Sequence, residues 1–221
     1  MSNKLVIFGT TDFAQVACVY FSKDSDYEVV AFSVHSHYLD RPELLGIPVV
    51  PFEDLTTSHP PGDFSMFVAM GFKDVNRARA GIYQECKAKG YKLATYVNSK
   101  AIQWGDNPIG DNTFILEANV IQPFVKIGSN CMIWSGNHIG HHSVIGDHVF
   151  IASHVVISGN VHIGDYCFLG VNATFRDSIS VAPGSVIGAG ATILKDIREP
   201  AVYAAVHTEA STIPFDKLKG F

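Results

Sequence analysis

The chain has 221 residues, 47% hydrophobic and 17% charged, which is too apolar and too weakly charged for a disordered protein. Sixteen Lys+Arg against 21 Asp+Glu leave a net charge of −5, so there is no basic footprint for nucleic acid. No apolar run approaches the ~18 residues of a membrane span, and the opening MSNKLVIFG has no signal-peptide layout, so no membrane insertion and a cytoplasmic location are expected.

The first 106 residues read as a small parallel βαβ domain, Rossmann-like in its alternation of strands and helices. Lys4–Phe8 is a buried strand, and Gly9-Thr10-Thr11-Asp12 turns it into a helix with Phe13, Val16, Ala17, Tyr20 and Phe21 on one face. Further strands are expected at Glu28–Val34, Ile47–Pro51, Phe64–Met70 and Lys92–Val97. Asp74 can cap a helix carrying Val75, Ala78 and Ile82, which Gly90 ends. Ligands of such domains collect beyond the carboxyl ends of the strands. That places Gly9, Thr10, Thr11, Asp12 and Phe13 after the first strand, Val34–Ser36 with His35 and Ser36 after the second, and Gly71–Arg77 with Phe72, Lys73, Asn76 and Arg77 after the third. A turn feeding a helix N-terminus can hold a phosphate through free N–H groups. The first turn lacks a full G-x-G-x-x-G, so a purely structural strand–helix turn is an equal reading of it.

From 107 to 197 the pattern changes to a repeat of six. Ile109, Ile115, Ile121, Ile127, Ile133, Ile139, Ile145, Ile151, Ile157, Ile163, Leu169, Phe175, Val181, Ile187 and Ile193 follow one another without a break in phase. Seven of the next positions are glycine (110, 128, 140, 146, 164, 170 and 188), and the positions four after the aliphatic residue are mostly small or β-branched. A period of six fits neither a helix nor a hairpin meander. It fits a left-handed parallel β-helix, with one hexad per flat side and three per turn. Residues eighteen apart then stack at about the 4.8 Å inter-strand spacing over one continuous core. Glycine beside a corner is expected to supply φ > 0, and Asn119 and Asn137, eighteen apart, are expected to form an amide ladder at a corner. Cys131 and Cys167, two turns apart, are too distant for a disulfide. An isolated prism presents flat apolar sides, so a homotrimer is expected. The tail, 198–221, is expected to cap the last coil.

The coil carries His138, His141, His142, His148, His154 and His162. His142, His148 and His154 recur at six-residue spacing and so fall on three different sides, which rules against a shared metal ion. Solvated faces or subunit contacts are the readings for His148, His154 and His162. His141, by itself a surface histidine as readily as a functional one, lies at a coil edge in Ser135-Gly-Asn-His-Ile-Gly-His-His-Ser143.

The stretch Ile139-Gly-His-His-Ser-Val-Ile-Gly-Asp147, together with Leu5–Ala17, Val68–Tyr83, Thr95–Ala101 and Gly159–Lys195, resembles the left-handed β-helix nucleotide-sugar N-acetyltransferases that act on bacillosamine-like and perosamine-like sugars. The resemblance implies transfer of acetyl from acetyl-CoA to the amino group of a 4-amino-4,6-dideoxy sugar on UDP, dTDP or GDP, for surface glycans, without a metal. It makes His141 the general base, beside which the family has Asp or Glu where this chain has His142. His142 or Asn137 is then the orienting residue. The resemblance lines the acetyl-CoA groove with Phe150, Gly159, Gly170, Val171 and Ala189, although glycine at a corner is equally a structural need. Phe150 stands where the family has a histidine, and Thr11-Asp12-Phe13 where it has a glycine-rich nucleotide loop. Trp134 joins the substrate-contacting set. Chemically, an ammonium must lose a proton before it attacks a thioester, and imidazole titrates near the operating pH. A backbone N–H at a coil edge would serve the oxyanion. A sugar O-acetyltransferase and a non-catalytic β-helix scaffold are the alternatives.

Overall fold

The computed structural model describes residues 3–206, 209, 210 and 212. The N-terminal elements are β1 (Asn3–Phe8), α1 (Asp12–Asp24), β2 (Tyr27–Val34), β3 (Glu43–Leu44), β4 (Ile47–Pro51), α2 (Leu55–Ser58), β5 (Phe64–Val68), α3 (Arg77–Ala88) and β6 (Lys92–Leu93). The sheet order is β3-β4-β2-β1-β5-β6, parallel except for the β3–β4 hairpin. β1 sits between β2 and β5, so the chain changes direction across it. This is where α/β sheets open a crevice for ligands.

Two expectations are corrected here. The helix after β5 starts at Arg77, because Asp74, Val75 and Asn76 all take positive φ (52°, 46° and 66°) and cannot form a helical first turn. The strand expected at Lys92–Val97 is split. Lys92–Leu93 pairs with β5, whereas Tyr96–Val97 leaves the sheet and pairs with Phe114–Ile115 as the first rung of the coil.

The coil is a left-handed parallel β-helix with the expected register: Val120 pairs with His138, Val144 with His162, and Phe150 with Phe168. Its first side runs from Tyr96–Val97 through Phe114–Ile115, Met132–Ile133, Phe150–Ile151 and Phe168–Leu169 to Val202–Tyr203; the second begins at Ile102–Gln103, and the third at Lys126–Ile127. The ladders thus start ahead of residue 107 and continue past 197. The hexad pattern conceals the opening rung because its inward phase falls on Gln103, which is exposed at the open end of the prism. The last rung is two residues short, pairing Val186 with Val202 and Val181 with Ile197. Pro214 and Asp216–Phe221, part of the expected cap, lie outside the described residues.

Two positions per hexad point inward, the aliphatic residue and the one four places on; from Ile115 to Ile197 both sets are buried. The left-handed turn falls between them, three residues after the aliphatic one, at Asn112, Ala118, Phe124, Asn130, Gly136, His142, His148, His154, Asn160, Tyr166, Asn172, Ser178, Gly184 and Gly190. The glycines following the aliphatic residue therefore have a different cause from the one expected. They lie outside the φ > 0 region, and a Cβ on Gly140 would stand 2.5 Å from the Ser158 carbonyl carbon, one on Gly170 2.6 Å from Ala189 N. Close approach of the next coil requires them.

Outward residues of the first side are apolar. Phe114, Met132 and Phe150 share one buried cluster with Leu5, Ala17, Phe21, Phe67 and Ala69 of the N-terminal region. Each such side chain contributes roughly 1.5–3 kcal/mol on burial, so this side is covered by the chain's own N-terminal sheet and α1. The apolar first side, expected to lie bare for a neighbouring copy, is thus not available to one. At the third corner, α3 sends Arg79 into the junction, fully buried. Its guanidinium donates to the carbonyls of Asn130 (3.2 Å), His148 (2.9 Å) and Gly71 (2.7 Å) and to Asn76 Oδ1 (3.0 Å).

Candidate active site

The carboxyl ends of β1, β2 and β5 enclose a hollow of about 520 Å³ lined by Gly9, Thr10, Thr11, His35, Gly71 and Lys73, all in loops expected from the sequence, with Tyr38, Asp40, Ala69 and Met70, which were not. Gly9 makes the turn possible: its φ is +121°, and a Cβ would stand 2.8 Å from Ala69 O. Glu53 was also missed, because nothing in the local sequence marks it. Its carboxylate accepts from Ser36 Oγ (2.6 Å) and Ser36 N (3.0 Å) and meets His35 Nδ1 at 2.9 Å. The Ser36 hydroxyl, its own backbone and His35 hold that carboxyl down at about 2.

The other residues expected at the substrate lie outside the lining of that hollow. Phe13 packs on Phe67, Phe114 and Trp134, and Trp134 on Phe150. Phe72 packs on Phe150 and Phe168, and Arg77 lies over the Tyr166 ring. Asn76 is buried and donates to the carbonyls of Tyr166 and Cys167. Asp12 is exposed at the start of α1. Phe150, expected in the acetyl-CoA groove, is instead part of the core joining the coil to the N-terminal sheet, 5% exposed.

His141 lies at the second corner, where the coil passes from the second side to the third, and its side chain is exposed. Its N–H donates to Gln122 Oε1 at 2.9 Å, and its Nδ1 is 3.2 Å from Nδ1 of His142. One coil later comes Gly159, where a Cβ would stand 2.6 Å from His141 Cε1 and 2.7 Å from Nε2. Gly159 therefore leaves room for the imidazole to lie across the neighbouring coil. His142 stacks on Phe124, one coil earlier, at 4.6 Å between ring centroids. Beside Phe124 is a second hollow, about 410 Å³, lined by Trp104, Gly105, Asp106, Asn107, Pro108, Pro123 and Lys126. Gln122, Phe124 and Trp104 carry no motif and were not anticipated.

Asn137, the other expected orienter, is buried on the inside of the coil. It donates to Trp134 O and accepts from Val155 N at 2.7 Å, so it does not reach His141. Asn119 likewise points inward and accepts from Asn137 N at 3.2 Å, so the expected pair is a chain of side-chain-to-backbone bonds and not an amide ladder at a corner. A ladder of the expected kind exists at the third corner. Asn112 Nδ2 donates to Asn130 Oδ1 (2.7 Å), and Asn130 Nδ2 lies 2.8 Å from His148 Nδ1. His148, expected on a solvated face or at a subunit contact, is buried there at 7% exposure, and burial lowers its pKa. His154 and His162 are exposed.

Val171 and Ala189 are exposed at the first corner, one coil apart, with Gly170 buried beside Val171. Of the residues expected to line the acetyl-CoA groove, Gly159 thus lies with the His141 imidazole at the second corner, whereas Gly170, Val171 and Ala189 lie at the first corner and the N-terminal hollow lies beyond the first side.

Residues 109–141, 124–159 and 160–195 match the bacterial transferase hexapeptide (six repeats) family. Over nearly its whole length the chain superposes on the acetyltransferase domain of PglB from Neisseria gonorrhoeae FA1090 in complex with acetyl coenzyme A, at 25% identity and a TM-score of 0.83, covering 93% of this chain and 97% of that one. It also matches PerB from Caulobacter crescentus in complex with CoA and GDP-perosamine (21% identity, TM-score 0.78, 91% and 94% covered). A third match is WeeI from Acinetobacter baumannii AYE (20%, 0.74, 87% and 92%). Residues 109–195 therefore match the bacterial transferase hexapeptide repeat, and the chain as a whole has the fold of these acetyltransferase structures, a small α/β region followed by a left-handed β-helix.

Proposed function

We propose that the chain is an acyltransferase that moves the acetyl group of acetyl-CoA onto the amino group of a nucleotide-linked amino sugar, a 4-amino-4,6-dideoxy sugar on UDP, dTDP or GDP being the substrate class, for surface glycans. The likeness to structures holding acetyl coenzyme A, and CoA with GDP-perosamine, supports both halves of the reaction. The observation that carries the reading is the exposed His141 imidazole, seated over Gly159 with its Nδ1 against His142.

The chemistry runs by direct attack. Nε2 of His141 takes the proton of the sugar ammonium, and the freed amine adds to the thioester carbonyl. The nitrogen of the tetrahedral intermediate gives up its second proton to water, the intermediate collapses with cleavage of the C–S bond, and the imidazolium returns the first proton to the departing CoA thiolate, so one proton is released to solvent per turnover. For Nε2 to be basic, the proton of neutral His141 must sit on Nδ1, which makes His142 Nδ1 the acceptor. His142 thereby takes the place a carboxylate would fill. The N-terminal hollow, with Lys73 and the Gly9–Thr11 turn on its wall, suits the nucleotide diphosphate. Because the three parts lie apart in one chain, the working site lies between copies of a trimer.

The test is release of CoA thiol from acetyl-CoA against a panel of UDP-, dTDP- and GDP-linked amino sugars, with the product weighed by mass spectrometry. His141→Ala should lower kcat by about 10²–10⁴ with the assembly intact; a wild-type rate would remove His141 from the mechanism. Acetylation of a hydroxyl sugar in place of an amino sugar would establish the O-acetyltransferase reading.

A further inference from the structure

We propose that Phe124 is a positioning residue for the His141–His142 pair, holding the His142 ring so that its Nδ1 accepts from His141; this rests on the reading of His141 as general base. Phe124 occupies the turn position of its hexad with φ +67°. Of the other thirteen such positions, seven carry Asn (112, 130, 160 and 172) or Gly (136, 184 and 190), the residues that enter this region at least cost, and the rest are Ala118, His142, His148, His154, Tyr166 and Ser178. A bulky side chain costs roughly 1–2 kcal/mol there, and within its own chain the Phe124 ring is 68% exposed, so packing inside the chain does not repay that cost. Tyr166, the other large aromatic in such a turn, is packed against His148 and Arg77. Among the described residues, the Phe124 ring meets one other ring, that of His142, at 4.6 Å and 38°.

That contact has a chemical consequence. His142 is itself exposed at a left-handed corner (φ 60°), with one side-chain hydrogen bond, to His141 at 3.2 Å. Turned away, it leaves the Nδ1 proton of His141 to water, and the imidazole is free to place that proton on Nε2, where it blocks the base. An aromatic face one coil below limits the rotation of His142 and keeps its Nδ1 toward its neighbour. The adjacent column does the same for His141 from the other side, through the space above Gly159.

The experiment measures kcat, KM and melting temperature for the full-length Phe124→Asn, Phe124→Tyr, His142→Ala and Phe124→Asn/His142→Ala variants, beside His141→Ala. Asn fits the left-handed corner better than Phe, so Phe124→Asn should fold, and light scattering beside the thermal melt checks that the assembly persists, because Phe124 lies on the corner that meets the next copy. We expect its kcat to fall about 10- to 100-fold with KM for acetyl-CoA unchanged, and Phe124→Tyr to restore the rate. In the His142→Ala background the second substitution should cost nothing more, because Phe124 acts through that ring. A wild-type kcat in Phe124→Asn, or a loss that multiplies onto that of His142→Ala, overturns the proposal. If His141→Ala abolishes turnover while Phe124→Asn does not, the base survives and the Phe124 role alone is lost; a fully active His141→Ala removes both.

Discussion

At the residue scale, the coil separates two uses of glycine that look alike in sequence. Gly140 and Gly170 are needed because the next coil's backbone lies within 3 Å of where a Cβ would be. Gly159, in contrast, faces the ring of His141, the movable end of a side chain, and its backbone lies outside the left-handed region. Gly159→Ala should therefore fold and melt like the wild type while displacing the imidazole, lowering kcat about 100-fold; thermal melts beside thiol-release kinetics check both halves. The cysteines behave as a group. Cys18, Cys86, Cys131 and Cys167 are free and buried, and burial pushes Cys86 and Cys131 up to about 12 and Cys167 to about 11. The native protein should consume no thiol reagent until unfolded. The thiol-release assay then reports CoA alone.

At the element scale, α3 and the third corner of the coil form the joint of the molecule. Arg79 is a buried cation whose partners are carbonyls and one amide oxygen. Removing it leaves those oxygens dry. Arg79→Met should cost about 3–5 kcal/mol, seen as a lowered denaturation midpoint in urea. His148 extends the Asn112–Asn130 ladder in its neutral form, and burial keeps its folded pKa below the ordinary 6.5. Below about pH 6.5 the unfolded chain takes up a proton that the folded one refuses, so stability falls as pH drops through that value. The slope is at most about 1.4 kcal/mol per pH unit, levelling off once the folded pKa is passed. His148→Asn continues the ladder without a titrating group, and its melting temperature should fall less than that of the wild type between pH 7 and 5.

At the scale of the whole molecule, the question is how separate corners make one site. The first side of the prism is sealed by the chain's own N-terminal sheet, whereas Ala189 and His141 remain exposed on corners that no single chain brings together. A trimer joining the second corner of one copy to the first corner of the next predicts a solution mass three times 24.0 kDa by light scattering. It also predicts complementation. His141→Ala removes the base, and Ala189→Trp plugs the groove on the other corner. Each variant alone should be inactive, but co-expressed in equal amounts they should recover about a quarter of the wild-type rate, since one site in four receives both intact corners. No recovery, with trimers formed, would mean that the two residues serve the same site from one chain.

The sequence alone determined the coil: a phase of six, unbroken from Ile109 to Ile193, admits one kind of packing, because both inward positions of every hexad must meet a core. It also determined the strand ends around Gly9, His35 and Lys73, since strand–helix alternation dictates where such loops gather. The tertiary structure decided what period cannot encode. Position in a hexad tells which residues turn outward, but not which corner another part of the chain will cover. So His148 and Phe150 are buried under the N-terminal region while His141 and Phe124 are open, although all four lie in the same repeat. The contacts around the His141–His142 pair, from Gln122 to the backbone N–H of His141, from Phe124 to the His142 ring and from Gly159 to the His141 ring, each come from a neighbouring coil about eighteen residues away, and only the stacked register brings them together.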